Sequence, residues 1–331
     1  MECAAVYRPI LRPRRGELTA LAHLADDEAA RLAPVLEIDP DDSVLPLLRE
    51  LRPRTAMLAL DFGAAGEPRA LSFARELAAL GVAMVPVLRA YDSGRHLVAH
   101  GRAARMHLHR AVLRFQPHAD AGNPAEANAV IDRVLGATAL EPDEVDLLID
   151  LAEMACVAHA DEVVERARRV IRWAKGAPWR SISVASGAMP PNLDDLPTDR
   201  PVPVGRLDAQ VWTRLEEPRI GYADYGVTSP VRRLGVQYHR QLPTLRYTAE
   251  QDWWIYRWAR RGGRSDDRCH DLCRTLVMSP QWPAAGARFS WGDAEIARRS
   301  RTARGAGSSA SWIAWSTSHH ISHVLRTLPE P

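Results

Sequence analysis

Residues 34–89, PVLEIDPDDSVLPLLRELRPRTAMLALDFGAAGEPRALSFARELAALGVAMVPVLR, decide the fold. Three short runs, 34–38, 56–60 and 82–88, are apolar but for Glu37, the signature of strands buried on both faces. Pro40 closes the first run, Asp61-Phe62-Gly63 the second and Arg89 the third. Between them, residues 44–51 and 70–80 carry apolar side chains at helical spacing. Ser43 stands where it can cap the first of these helices, and Gly81 stops the second. A chain that alternates strand and helix in this way predicts a parallel sheet.

The same period runs outward in both directions. Upstream, residues 7–11 read as a strand ending in Arg12-Pro13, and 17–32 as a helix with Leu18, Leu21, Leu24 and Leu32 on one face. Downstream come a helix at 96–103, a fifth strand at 106–115, a helix at 126–135 and a sixth strand at 144–149 that ends at Asp150. A helix at 160–174, a seventh strand at 179–185, a helical segment at 212–215 and an eighth strand at 220–225 follow. Eight strands on a scale of about 250 residues predict a closed, TIM-barrel-like (β/α) barrel over residues 1–230. An open doubly wound sheet is the alternative. It would carry a glycine-rich phosphate loop after the first strand, and the sequence has none there, nor a G-x-x-x-x-G-K-[ST] loop.

Composition bounds the rest. Of 331 residues 46% are apolar, enough for a large core, and no apolar run is long enough for a transmembrane helix. The N-terminus lacks the apolar core of a signal peptide, and four cysteines make no disulfide framework, so a reducing cytoplasm is expected. Lys175 is the sole lysine, which leaves Schiff-base chemistry a single candidate. Residues 231–331 hold 16 Arg against 8 Asp and Glu, a balance of +8 in a chain of net charge +2, and seven of the ten tryptophans. This basic, Trp-rich extension is expected to pack on the barrel mouth. Within it, 231–247 reads as extended, 260–268 as a polar loop, 271–276 as a short helix, 298–309 as a mobile loop and 311–328 as a closing helix or strand. Arginine mixed with aromatics suits nucleic acid. The same composition also describes a solvated arginine face over a tryptophan core.

Several segments together carry a resemblance. They are Tyr7-Arg8-Pro9-Ile10-Leu11 with Gly16-Glu17, Pro34-Val35-Leu36-Glu37, Asp61, Pro86-Val87, Ala223-Asp224-Tyr225-Gly226, Leu245-Arg246-Tyr247-Thr248, Ser290-Trp291-Gly292-Asp293, and Trp312 followed by His319-His320-Ile321. In order and spacing they resemble the beta protein family, across nearly the whole chain. Members carry lysines after the first strand, where Arg12, Arg14 and Arg15 stand here. The resemblance implies a phage, mobile-element or defence setting and names no reaction.

Glu37, Asp61, Asp150 and Asp224 fall at predicted strand ends, which meet at one face of a barrel. Converging there, Glu37, Asp61 and Asp150 would hold Mg or Mn through oxygen. Arg89, with Arg110 or Arg114, would fork onto a phosphate. Arg12, Arg246 and Trp291, from the segments of the resemblance, complete the expected ligand-binding set. Glu37, Asp61, Asp224 and His320 form the expected catalytic set of a metal-dependent phosphodiesterase or hydrolase acting on nucleic acid or a phosphorylated ligand. The competing expectation is a non-catalytic binding or scaffold protein with a protein partner, its acids capping helices or pairing with arginines. His319 and His323 share a helical face without the glutamate of a zinc protease. Cys269 and Cys273 lack a second cysteine pair, so a buried core pair is expected rather than zinc.

Overall fold

The computed structural model describes residues 7–39, 44–55, 57–63, 67–117, 123–154, 160–217, 219–231, 242–259, 265–302 and 307–329. Ser43, Cys3, Cys156 and Arg304 lie outside them, as do residues 232–241, 260–264 and 303–306 of the segments read above as extended or loop.

Eight parallel strands close a barrel: β1 (Arg8–Leu11), β2 (Val35–Glu37), β3 (Met57–Asp61), β4 (Ala83–Arg89), β5 (Ala111–Phe115), β6 (Val145–Glu153), β7 (Ser181–Gly187) and β9 (Ile220–Asp224). The ring is completed by β1 against β9, with Arg8 beside Ala223. Helices α1 (Arg15–Ala22), α2 (Asp26–Ala30), α3 (Val44–Leu51), α4 (Glu67–Ala79), α5 (Gly94–Met106), α6 (Pro124–Thr138), α7 (Ala160–Ala174) and α8 (Leu207–Leu215) connect the strands.

Side chains alternate across each strand, and this sorts the barrel into layers. Ile10, Val35, Ala59, Val85, Val87, Val112, Leu148, Ala185 and Ala223 fill its middle. Outward-facing residues such as Leu36, Leu58, Leu60 and Tyr222 pack under the helices. Below the apolar plug, at the N-terminal ends of the strands, Asp146 is paired to Arg8 at 3.3 Å and to Arg110 at 2.5 Å. Above it lies the ionic layer described in the next subsection.

A second sheet is antiparallel, in the order β10 (Thr244–Thr248), β11 (Asp252–Arg257), β8 (Arg200–Gly205). It packs with α9 (Ser265–Val277), α10 (Trp291–Arg301) and α11 (Ser309–Thr327) around Tyr247, Trp258, Trp312 and Trp315. Strand β8 was not expected. It lies before residue 230 but pairs with β11, so this sheet crosses the boundary read from composition.

Other expectations shift. The 17–32 helix breaks in two after Ala22. The fifth strand starts at Ala111, because Met106 still belongs to α5 and His109 turns the chain at φ +46°. Arg298–Arg301 form the last turn of α10, and residues 311–327 lie on a helix that Leu328 caps in an extended conformation.

Candidate functional site at the barrel mouth

The mouth is an ionic layer centred on Arg114. This side chain lies on the inward parity of β5, two residues above Val112. Its Nε donates to Asp150 Oδ2 at 2.9 Å, its Nη1 to Glu37 Oε1 and Asp61 Oδ2, each at 2.8 Å, and its Nη2 to the Tyr225 hydroxyl at 2.7 Å. The Tyr225 hydroxyl in turn donates to Asp150 at 2.8 Å. Arg89, on the neighbouring strand, reaches Asp61 Oδ2 through Nε at 3.1 Å and Nη2 at 2.5 Å. Glu37 stands beside Asp61 in register, as expected.

The backbone is shaped for this layer. The Gly63 N–H donates to Asp61. The Ala152 N–H donates to Asp150 at 2.9 Å from a left-handed residue, φ +57°, where β6 bulges. A non-glycine residue holds that conformation only where its surroundings fix it. Burial pushes the Asp61 carboxyl up, but Arg89 and Arg114 outweigh it and hold the group down at about 2. Burial and Arg114 compete in the same way on Asp150, which is also lowered. Burial lowers the Arg114 guanidinium, but the Tyr225, Asp150, Asp61 and Glu37 contacts raise it well above its ordinary value. The layer is therefore fully ionised at neutral pH at Asp61, Asp150 and Arg114.

Asp224 and His320 do not join it. Ala223 and Tyr225 point into the barrel, so Asp224 between them points out. There Asp224 accepts from the Tyr7 hydroxyl at 2.7 Å, from the Gly226 N–H at 2.9 Å and from His320 Nε2 at 2.8 Å. Burial lowers the His320 pKa. A neutral ring that donates from Nε2 accepts at Nδ1, here from the Thr248 hydroxyl at 2.9 Å. Next to it, His319 meets Asp293 Oδ2 and the Thr248 carbonyl, each at 2.9 Å, while Tyr247 donates to Asp293 at 2.7 Å. Five of the segments that carry the family resemblance, those of Tyr7, Asp224, Tyr247-Thr248, Asp293 and His319-His320, thus meet in one buried hydrogen-bonded chain. It ties the outer barrel wall to β10, α10 and α11.

Arg110 sits at the opposite end of the barrel, on Asp146, because β5 begins one residue after it. Trp291 stacks on His23 at 4.1 Å, beyond the C-terminal end of α1 and away from the mouth. Arg12 is at the mouth, its Nη2 donating to the carbonyls of Ser229 and Val231 at 3.1 Å. Sequence reasoning passed over Tyr225, which is legible only once the parity of β9 is fixed, and ranked Arg110 level with Arg114.

The carboxylates do not fit a divalent cation as they stand. Glu37, Asp61 and Asp150 all accept from Arg114, and Asp61 from Arg89 as well, so guanidinium donors occupy oxygens a metal would need. Among the described residues no group of three or more His, Cys, Asp or Glu side chains could hold a metal ion. Cys269 and Cys273 are buried thiols; the hydrogen bond that the Cys273 thiol makes to Cys269, and burial, raise Cys273 well above its ordinary value. Trp253, Trp258, Trp312 and Trp315 are buried, so they fill a core and offer no face for base stacking. In the basic extension, Arg298 pairs with Glu295, and Arg299 lies over Trp315.

A closed parallel barrel with an arginine–carboxylate layer at its mouth and a capping α/β layer defines the class. Within that class the chain belongs to the beta protein family, whose model matches residues 7–326. Among solved structures it is similar to the biosynthetic arginine decarboxylase of Campylobacter jejuni, at 10% identity and a TM-score of 0.42, over 97% of this chain and 55% of that one. The chain thus spans about half the length of that protein. No curated protein matches. No helix among the described residues is long and apolar enough to cross a membrane.

Proposed function

We propose that the barrel mouth is a binding site for a phosphorylated small molecule, and that the protein acts by binding it. One observation carries the reading. Asp61 engages Nε and Nη2 of Arg89, while Nη1 has no hydrogen-bond partner among the described residues. The side chain is 10% exposed, against 3% for Asp61 and less for Asp150. The arginine therefore lies above Asp61 and Asp150, level with Glu37 at 11%, and offers one edge of a fork held rigid by its other edge, the preorganisation that anion recognition needs. Tyr91, 56% exposed with the Arg89 guanidinium 5.8 Å from its ring centroid, adds an apolar wall at the rim.

The metal-dependent hydrolase expected from the carboxylates is the less favoured reading, because those oxygens serve the arginines. Calorimetric titration of the full chain with a panel of phosphorylated metabolites tests the choice. Binding that is insensitive to EDTA and weakened by about tenfold or more in Arg89→Met is the expected result, the size of one lost charged hydrogen bond. Phosphodiesterase activity that needs Mg²⁺ or Mn²⁺ and vanishes in Asp61→Asn would restore the hydrolase. Absence of binding across the panel would remove the mouth site.

A further inference from the structure

Three strands around the barrel from Arg89, a second pair of opposite charges has been left apart. Glu17 sits in the first turn of α1 and is buried. Arg246 lies on β10 between Leu245 and Tyr247. Those two neighbours face the core formed with α9, α10 and α11, so the arginine turns away from it. The charges of Glu17 and Arg246 act on each other, yet no hydrogen bond or ion pair among the described residues joins them. Arg246 Nε is sealed from solvent with no partner among the described residues, which costs free energy unless something else accepts from it.

The surroundings are rigid. The Arg246 N–H is held by the Ser316 hydroxyl at 3.1 Å. Gly16 lets α11 close on the same turn of α1: a Cβ there would lie 2.8 Å from the Ala310 carbonyl and 2.9 Å from Ile313. Arg12, fixed to the Ser229 and Val231 carbonyls, adds a positive charge that is felt by both groups. The Arg14 side chain does not cap α1; of the first-turn N–H groups, that of Glu17 meets its own carboxylate, and those of Arg15 and Gly16 have no acceptor within the helix.

We infer that the space between Arg246 and Glu17 is a second anion site, built for a protonated oxyanion: hydrogen phosphate or a phosphomonoester. Arg246 and the N–H groups of Arg15 and Gly16 donate to the unprotonated oxygens. Glu17 accepts the hydrogen bond of the P–OH. A carboxylate at this position rejects an oxyanion that has no proton to offer, so the site selects phosphate over sulfate. A helix N-terminus alone would bind either.

The test is calorimetry on the full chain at pH 8, above the Glu17 value of about 7 so that its carboxylate is ionised, with inorganic phosphate and, separately, sulfate. Phosphate should bind at least about tenfold more tightly than sulfate, in keeping with one buried charged hydrogen bond gained against one repulsion. Glu17→Gln should bring the two anions to within about twofold of each other, and Arg246→Met should lose this phosphate site. Equal affinities in the unaltered protein, or phosphate binding unchanged in Arg246→Met, would overturn the inference. Should Arg246→Met fail to fold, the Glu17→Gln comparison decides alone. The two sites are separable: Arg89→Met removes the first and leaves this one. Phosphate binding abolished by Arg89→Met and untouched by Arg246→Met would leave the mouth reading standing and end this one.

Discussion

Arg114 is the residue on which the mouth depends, and the cost of disturbing it follows from burial. Arg114 and Asp61 are each about 3% exposed, so an uncompensated charge left by removing either has no water to turn to. Breaking such a pair typically costs about 3–5 kcal/mol. Asp61→Asn is the direct test of that cost. With two arginines on that carboxylate, the expected outcome is a lower urea midpoint by that order of free energy, and a midpoint within about 0.5 kcal/mol of the parent would show the layer to be slack. Because the Asp61 pKa is depressed, its stabilisation is present above the unfolded value near 4 and is lost as pH falls towards 2. Glu17 behaves in the opposite sense. Burial raises it to about 7 against the nearby Arg14, Arg246 and Arg12. Its folded form keeps a proton that the unfolded chain gives up near pH 4.5, so stability falls as pH rises from there to about 7, by up to about 3 kcal/mol. In phosphate-free buffer, Glu17→Gln should flatten that part of the stability profile. Parallel profiles for variant and parent would refute the shift.

At the level of elements, close helix crossings explain which glycines matter. A Cβ at Gly292 would stand 2.2 Å from the Trp315 carbonyl, where α10 crosses α11. Backbone cannot yield as a side-chain tip can, so Gly292→Ala should cost about 1–3 kcal/mol, seen as a lower melting temperature. Gly136→Ala, where nothing lies within 4 Å, is the matched control. The elements also show what the sequence made legible. Seven of the barrel strands were placed to within a residue or two at their starts because each is a short apolar run bounded by Gly, Pro or charge, as at 34–89. β8 was invisible because Pro201 and Pro203 read as breakers. Both are tolerated there because β8 is the edge of its sheet, and an edge strand needs no ladder donors on its open side. Arg110 was misplaced because strand period says which face a residue takes and not how deep in the barrel it lies; His109, turning the chain just before β5, sets that depth. Asp224 was misplaced by parity, since a residue named only as a strand end can face either way.

At the scale of the molecule, the barrel and the layer that caps it are held together through a few buried polar contacts. Asp224 is fully buried on the outer wall, and His320 reaches it from α11, 96 residues away in sequence. His320 also receives the Thr248 hydroxyl of β10, so one imidazole joins three elements. Apolar packing would hold α11 against α1 in many rotations. Paired polar groups accept one, because every other rotation leaves buried donors and acceptors unmet. This makes the link specific as well as stabilising. A double-mutant cycle on Asp224→Asn and His320→Ala should give a coupling of about 1–3 kcal/mol. Native-state hydrogen exchange should then locate the damage. In His320→Ala the amides of β10 and α11 should lose protection while those of β4, β5 and β6, inside the barrel and away from the contact, keep theirs. Loss of protection spread evenly over both regions would mean that barrel and cap unfold as one unit. Additive single-mutant effects would mean that apolar packing alone sets how α11 sits.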